Sequence, residues 1–342
     1  MSQINRQWLL KRRPMGRVGL GDFDYREVPI PTPNLISGEL LVKNLYLSFD
    51  PAMRGWMDDQ PSYLPPAALG EPMRATAIGQ VIESGNPDIP TGSLVQGFFG
   101  WQEYAISRPS DFIPAILLPE GTTPTMALSI FGGTSLTAYF GLLHVGKPIA
   151  GDTVLVSGAA GATGSVVAQI AKIKGCRVIA IAGGESKCAW LKSNCQVDEV
   201  IDYKHEDVDQ RLAELCPNGI NVFFDNVGGS ILEAGIEHIA DHGRIVLCGQ
   251  ISAYNDDERQ PGPCNLMHII TRRVRMEGFI MIDFLEHVEE ATTALGGWVV
   301  EGKITWREDI QQGFENIPAT FLRLFEGLNN GKQLLHLASA ES

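Results

Sequence analysis

The chain has 342 residues, enough for about two domains of ordinary size, and its 44% hydrophobic and 20% charged residues, with 37 Gly and 20 Pro, exclude a disordered or collagen-like chain. With 40 acidic against 27 basic residues the formal charge is −13, and the longest basic block is Lys11-Arg12-Arg13, so a polyanion is repelled and nucleic acid is excluded as a ligand. No run nears the roughly 18 apolar residues of a membrane span. The N-terminus has its basic residues after its only apolar pair, the reverse of a signal peptide, and the six cysteines (Cys176, Cys188, Cys195, Cys216, Cys248, Cys264) show no C-x-x-C or metal-ligand spacing. These features predict a cytoplasmic protein with reduced thiols, no metal and no membrane partner.

The first 125 or so residues alternate short apolar runs with turn signals. Leu40 to Leu47, Ala77 to Glu83, Ser93 to Phe99 and Glu103 to Ile106 are separated by Pro-Thr-Pro, Gly-Asn-Pro and Pro-Thr-Gly, which predicts a strand-rich, barrel-like domain. From Thr153 the texture changes. Thr153 to Ser157, Arg177 to Ala182, Glu199 to Ile201, Asn221 to Asp225, Gly243 to Gly249 and Arg275 to Met281 read as strands with helical patterns in most gaps, the signature of a doubly wound parallel α/β sheet. After Gly302 the rhythm lapses through Ile304 to Arg307 and a Pro-interrupted helix around Phe314 to Gly327, into a last apolar run, Leu334 to Leu337, expected to rejoin the first domain.

The strongest motif is Thr153-Val-Leu-Val-Ser157, then Gly158-Ala-Ala-Gly161-Ala162-Thr163-Gly164, then a helix over Ser165 to Lys174. It is the strand, glycine turn and helix of a dinucleotide fingerprint: Gly161 lets the backbone approach a pyrophosphate, and Gly164 lets the helix pack on the sheet. The first glycine of the usual G-x-G-x-x-G is Ala159 here. At the end of the second strand, where NAD-specific folds place a carboxylate on the ribose, this chain has Gly183-Gly184. Glu185 follows, but Lys187 and the hydroxyl of Tyr203 are placed to pair with a 2′-phosphate, so NADPH is favoured over NADH. Gly141 to Lys147 imitates a phosphate loop but has Pro148 in place of the magnesium ligand, and reads as a helix end and turn. His205-Glu206 opens like a zinc-protease motif but has Asp209 where a second His is required. Past the carboxyl ends of the later strands, Asn226, Gly249, Ser252, Tyr254 and Asn255 face the ligand crevice of such a sheet. The phenol of Tyr254, neutral at pH 7, suits a carbonyl oxygen that gains charge as hydride arrives.

Taken together, these residues resemble the zinc-independent medium-chain reductases that include prostaglandin reductases, leukotriene dehydrogenase, alkenal double-bond reductases and bacterial curcumin reductases. The shared marks are Leu47-Ser-Phe-Asp-Pro-Ala-Met-Arg54, Pro61-Ser-Tyr63, Leu136 to Leu142, Gly158 to Gly164, Ala182 to Lys187, Phe224-Asp-Asn-Val-Gly-Gly229, Cys248 to Asn255, Glu277-Gly-Phe279 and Gly313 to Pro318. The resemblance implies a catalytic domain built from 1–125 and 305–342, a Rossmann domain over 126–304 inserted in it, a homodimer, and NADPH-dependent reduction of a carbon-carbon double bond conjugated to a carbonyl. It implies that Gly161, Ala162, Thr163, Gly164, Gly183, Lys187, Tyr203, Asn226, Cys248, Ser252, Phe279 and Asn330 bind the cofactor, that Tyr254 bonds the enone oxygen, and that Tyr63 approaches from the catalytic domain. Two departures stand out: Gly133-Thr134-Ser135 replaces the family's Met-Pro-Gly, and Gln333-Leu-Leu-His336 after Asn330 is unusual. A quinone reductase and a non-catalytic NADPH-binding regulator remain as alternatives. Substrate selectivity is expected in the loops Asp58 to Pro66 and Asn255 to Cys264.

Overall fold

The computed structural model describes residues 4–256 and 261–341. The chain divides into two compact units, one made of Met1–Leu128 with Glu308–Ser342 and the other of Ser129–Arg307. In chain order the strands are β1 (Ile4–Leu10), β2 (Phe23–Pro29), β3 (Leu40–Ser48), β4 (Ala77–Ser84), β5 (Leu94–Gly97), β6 (Tyr104–Ser107) and β7 (Ile116–Leu117) in the first unit. The second unit holds β8 (Thr153–Val156), β9 (Arg177–Ala182), β10 (Glu199–Asp202), β11 (Ile220–Asp225), β12 (Ile239–Leu247) and β13 (Arg275–Gly278). The chain then returns to the first unit with β14 (Glu308–Gln312) and β15 (Lys332–His336).

In the first unit β3 organises the sheet. Its apolar residues pair with β4 through a register that slips at Leu41/Val42 and again at Asn44/Tyr46. Such bulges bend a strand, and here the two halves of β3 take different partners, Leu40–Lys43 pairing with β6 and Tyr46–Ser48 with β15. The buried Asn44 amide fills the bend by donating to the carbonyls of Gln102 (2.7 Å) and Gly100 (3.3 Å). The sheet runs β14-β15-β3-β4-β5-β7, and β1 and β2 form a separate antiparallel hairpin. The core is aromatic: Trp101, fully buried, lies 4.9 Å from the ring of Phe23, 5.8 Å from Phe49 and 5.6 Å from Phe321.

The second unit is a parallel sheet in the order β10-β9-β8-β11-β12-β13, the doubly wound arrangement in which the winding reverses beside β8. Strands covered on both faces carry continuous apolar runs, and Val154-Leu-Val156, Val178-Ile-Ala-Ile181 and Val222-Phe-Phe224 have no exposed surface. The flanking helices are α1 (Gly133–Phe140), α2 (Ala162–Ile173), α3 (Glu185–Asn194), α4 (Val208–Leu215), α5 (Gly229–Glu237), α6 (Met267–Thr271) and α7 (Val288–Val300). Residues 141–146 continue α1 as a wider turn that stops at Lys147, whose φ is +47°.

Three differences from the sequence expectation have physical causes. The strand expected at Gly243 begins at Ile239, because the polar stretch Asp241-His242-Gly243 interrupts the apolar signal and His242 adopts φ +58°. The strand expected to reach Met281 ends at Gly278, and a tight helical turn, Met281–His287, follows. Between the lapse at Ile304–Arg307 and the Pro-interrupted helix lies β14, a strand the sequence pattern does not announce, because it is a partly exposed, polar edge strand.

Candidate active site

The glycine turn and the end of β11 are joined through Asp225. This carboxyl has no exposed surface. It accepts the hydroxyl of Ser157 (2.6 Å) and the backbone N–H groups of Val227 (3.1 Å) and Gly228 (3.0 Å). Ser157 in turn accepts the N–H of Asn226 at 2.8 Å, and the Asn226 amide donates to the Ser157 carbonyl at 2.7 Å. Burial pushes the Asp225 carboxyl above its ordinary value, against the lowering effect of these donors. Beyond Ser157, Gly161 is the extended N-cap of α2 and has no side-chain cap, so the N–H groups at Ala162, Thr163 and Gly164 form an anion-binding helix start. Gly164 is required by contact: a Cβ there would lie 2.5 Å from the carbonyl oxygen of Gly158 and 2.7 Å from Cα of Ala159.

The turn after β9 forms a second corner. Tyr203 lies against Gly183 so closely that a Cβ on Gly183 would sit 2.7 Å from its ring. Lys187, on the first turn of α3, bonds through its N–H to the Gly184 carbonyl at 3.1 Å. Asp202, at the end of β10, also meets this turn, and its oxygens accept from Gly184 N–H (2.8 Å), Lys204 N–H (3.1 Å) and His205 Nδ1 (2.8 Å). Burial works to raise its pKa, yet these donors together hold it below the usual carboxylate range. The corner therefore carries Lys187, the Tyr203 phenol and the exposed Glu185, while the carboxylate of Asp202 is engaged by the backbone and His205. Lys187 and Tyr203 are the groups here that could hold a ribose 2′-phosphate.

The end of β12 supplies the third side. Cys248 and Gly249 donate N–H bonds to the Asp225 carbonyl at 2.9 and 3.2 Å, and burial pushes the Cys248 thiol up to about 12, so it is no nucleophile at neutral pH. Ser252 ties this turn to the β11 turn through Oγ to the Val227 carbonyl at 2.6 Å. Tyr254 folds back over the same turn, its phenol oxygen accepting the N–H of Gln250 at 3.2 Å. Phe279, just past β13, stacks edge-on against Phe224 at 6.3 Å. The departure at Gly133-Thr134-Ser135 is a helix start: Ser135 Oγ donates to the Ser129 carbonyl at 3.0 Å, and Thr134 Oγ1 is buried with no hydrogen-bond partner among the described residues. The second selectivity loop is described except for residues 257–260, which lie outside the described residues.

The other two expected residues belong to the first unit. Tyr63 accepts a hydrogen bond from the indole N–H of Trp56 at 2.8 Å. Asn330 follows the helix α8 (Ile317–Leu322), and its N–H donates to Asp309 at 3.1 Å. Sequence reading missed Ser157 and Asp225 as the hub of the cradle. The available signal was a polar residue at the end of each of two fully apolar runs, Val154-Leu-Val-Ser157 and Val222-Phe-Phe-Asp225. Among the described residues, no group of three or more His, Cys, Asp or Glu is arranged to hold a metal ion.

Comparison with known proteins extends this picture over the full length. A family model described as the N-terminal domain of oxidoreductase matches residues 6–115, and one described as zinc-binding dehydrogenase matches residues 162–296. The chain is 39% identical over 341 residues to the NADPH-dependent curcumin reductase of Escherichia coli K12, covering 98% of each chain. It is 39% identical to prostaglandin reductase 1 of Oryctolagus cuniculus over 96% of this chain and 92% of the relative. The crystal structure of CurA from Vibrio vulnificus in complex with NADPH superposes with a TM-score of 0.90 at 38% identity, covering 98% of this chain and 99% of that one. With the glycine turn and the strand order in place, the chain belongs to the medium-chain dehydrogenase/reductase family, in the branch of the curcumin, prostaglandin and alkenal reductases.

Proposed function

We propose that the protein reduces the carbon-carbon double bond of α,β-unsaturated ketones or aldehydes with NADPH. The observation that carries this reading is the position of Tyr254, a phenol held at the end of β12 on a turn bonded to Asp225, the same residue that sets the glycine turn. When bound, NADPH supplies the hydride, which goes to the β-carbon of the enone. The chain supplies everything else. The N–H groups at the start of α2 take the pyrophosphate, and Lys187 and Tyr203 take the 2′-phosphate. Asn226, Cys248, Ser252, Phe279 and Asn330 complete the cofactor contacts. As the substrate's π electrons move onto its carbonyl oxygen, the Tyr254 phenol donates a hydrogen bond to the developing enolate, with Tyr63 as a second donor, and a solvent proton then goes to the α-carbon. Such a reaction requires neither a covalent nucleophile nor a Lewis acid, and the protein is proposed to work without metal.

A cytoplasmic homodimer fits this reading. No helix among the described residues is long and apolar enough to cross a membrane. β13 is an open sheet edge whose residues are mostly exposed, and beside it Leu266, Met267 and Ile270 present apolar side chains to solvent. Unpaired edges and apolar patches of this kind are features a second copy would cover. The test of function is NADPH oxidation with small enals, long-chain enones, diarylheptanoids and quinones side by side, with the products identified. A saturated ketone or aldehyde supports the proposal. Hydroquinone as the sole product, or NADPH binding with no turnover on any of them, overturns it.

A further inference from the structure

We infer that Arg74 recognises a carboxylate on the substrate, so that the preferred enones are acids of the 4-oxo-2-enoate kind. The inference rests on the enone-reductase reading, in which Tyr63 touches substrate, and adds the substrate class.

Arg74 is held in a fixed place. Its neighbours Met73 and Ala75 have no exposed surface, and the backbone around it is pinned by Met73 N–H to Trp8 (3.0 Å), Trp101 N–H to Met73 (2.9 Å) and Gly100 N–H to Ala75 (3.2 Å). The side chain leans toward the Tyr63 loop. Its guanidinium lies 5.8 Å from the centre of the Trp56 ring and donates one N–H to the Pro65 carbonyl at 3.0 Å. Trp56 in turn holds the Tyr63 phenol and sits 6.1 Å from the ring of Phe98. Trp56 and Phe98 are half-buried and Tyr63 is exposed, so the four side chains form a ledge of flat, partly open surface with one cation on it.

That cation has no counter-charge among the described residues, and this sets it apart within its unit. Arg6, Arg12, Arg13, Arg17, Arg54, Arg108 and Arg323 each pair with a carboxylate of this chain, and Arg26 is exposed. Arg74 is half-buried, and burial lowers its pKa with only the Tyr63 phenol to offset it. Asp50, which faces Tyr63, is already claimed by the buried Lys332. In a chain of net charge −13 there is no shortage of acids to pair with an arginine, so a desolvated one left without a carboxylate is a vacancy for an anion. A guanidinium with most of its donors unspent and one face toward an indole matches the planar, two-oxygen geometry of a carboxylate.

The test uses trans-3-benzoylacrylate and its methyl ester, which share the enone and differ in the charge. For the wild-type enzyme the acid is expected to have the higher kcat/KM. In Arg74→Met the acid-to-ester ratio should fall about tenfold or more, through the KM of the acid, the size expected for one charge-assisted contact. Arg74→Lys, which keeps the charge without the fork, should recover part of it. A ratio equal in wild type and Arg74→Met overturns the inference. Should that variant fail to fold, the wild-type enzyme alone decides: 4-oxo-4-phenylbutanoate should inhibit reduction of an uncharged enone at least tenfold better than its methyl ester, and equal inhibition overturns the inference. Absence of turnover on both acid and ester would instead strike the enone-reductase reading itself.

Discussion

Gly183→Ala separates the cofactor corner from the rest of the protein. The added Cβ would stand 2.7 Å from Cε1, 2.8 Å from Cζ and 2.9 Å from the hydroxyl of Tyr203, whereas ordinary contact begins at 3.4 Å, so the phenol must move by roughly 0.7 Å. It can do so cheaply, since Tyr203 is 48% exposed and Gly183 is not in the left-handed region. The Asp202 bond to Gly184 stays in place. Stability should therefore change little, while the contact between the phenol and a 2′-phosphate is stretched or lost. A charge-assisted hydrogen bond contributes about 1.5–3 kcal/mol, or roughly 10–150-fold in affinity, and a displaced donor falls at the lower end of that range. The expected result is an NADPH Michaelis constant raised about tenfold with the NADH constant nearly unchanged, because NADH has no phosphate there to lose. Tyr203→Phe should act in the same direction, and the double variant should add little to either single one, since both remove one contact. Steady-state kinetics with both cofactors and a thermal melt of each variant provide the measurement. A rise in both Michaelis constants by the same factor, or Tyr203→Phe with an undiminished preference for NADPH, would refute the assignment of this corner.

Lys187→Ala should erode the same preference tenfold or more in the NADPH Michaelis constant. Tyr254→Phe should cost roughly 10–100-fold in turnover with little change in NADPH binding, Tyr63→Phe should cost less, and the double variant more than either; wild-type turnover in Tyr254→Phe at saturating NADPH would return that residue to a packing role. Exhaustive chelation should leave activity intact, and stoichiometric zinc whose removal stops turnover would contradict the proposal. Asp202 has a folded pKa below the ordinary carboxylate value, so the stability it contributes is present at neutral pH and is lost as pH falls through the carboxylate range; Asp202→Asn should flatten that limb of the stability profile, and an unchanged acid limb would show that its bonds to Gly184 and His205 carry no net stability.

The second unit was legible because covered parallel strands must be continuously apolar, and Thr153–Val156, Arg177–Ala182 and Ile220–Asp225 announce themselves on that ground. The hairpin β1–β2 and the edge strand β14 did not. β14 (Glu308-Asp-Ile-Gln-Gln312) and β2 are largely exposed and rich in polar residues, and β1 mixes Asn5-Arg-Gln7 with its apolar residues, so the continuous apolar run that identifies a buried strand is missing there. The same contrast holds at the site. The glycine turn is specified by local backbone requirements and could be read directly. Arg74 could not, because what distinguishes it is the carboxylate it lacks, and that is a property of the tertiary fold.

Asp225 shows how the apolar sheet dictates where chemistry is possible. A polar residue at the inner end of a buried strand must find partners, and at the reversal of the sheet two such residues, Ser157 and Asp225, stand on adjacent strands and find each other at 2.6 Å. The Asp225 carboxylate accepts Ser157, Val227 and Gly228, and the backbone carbonyl of the same residue accepts the N–H groups of Cys248 and Gly249. Three turns that arise far apart in sequence are thereby fixed to one residue. A carboxyl so fully engaged, and held above its usual pKa by burial, has no free oxygen with which to act as a base toward substrate. Its chemical silence has a use: Tyr254, on the turn that the Asp225 main-chain carbonyl anchors through Cys248 and Gly249, is left as the group of this unit proposed to meet the substrate's developing charge.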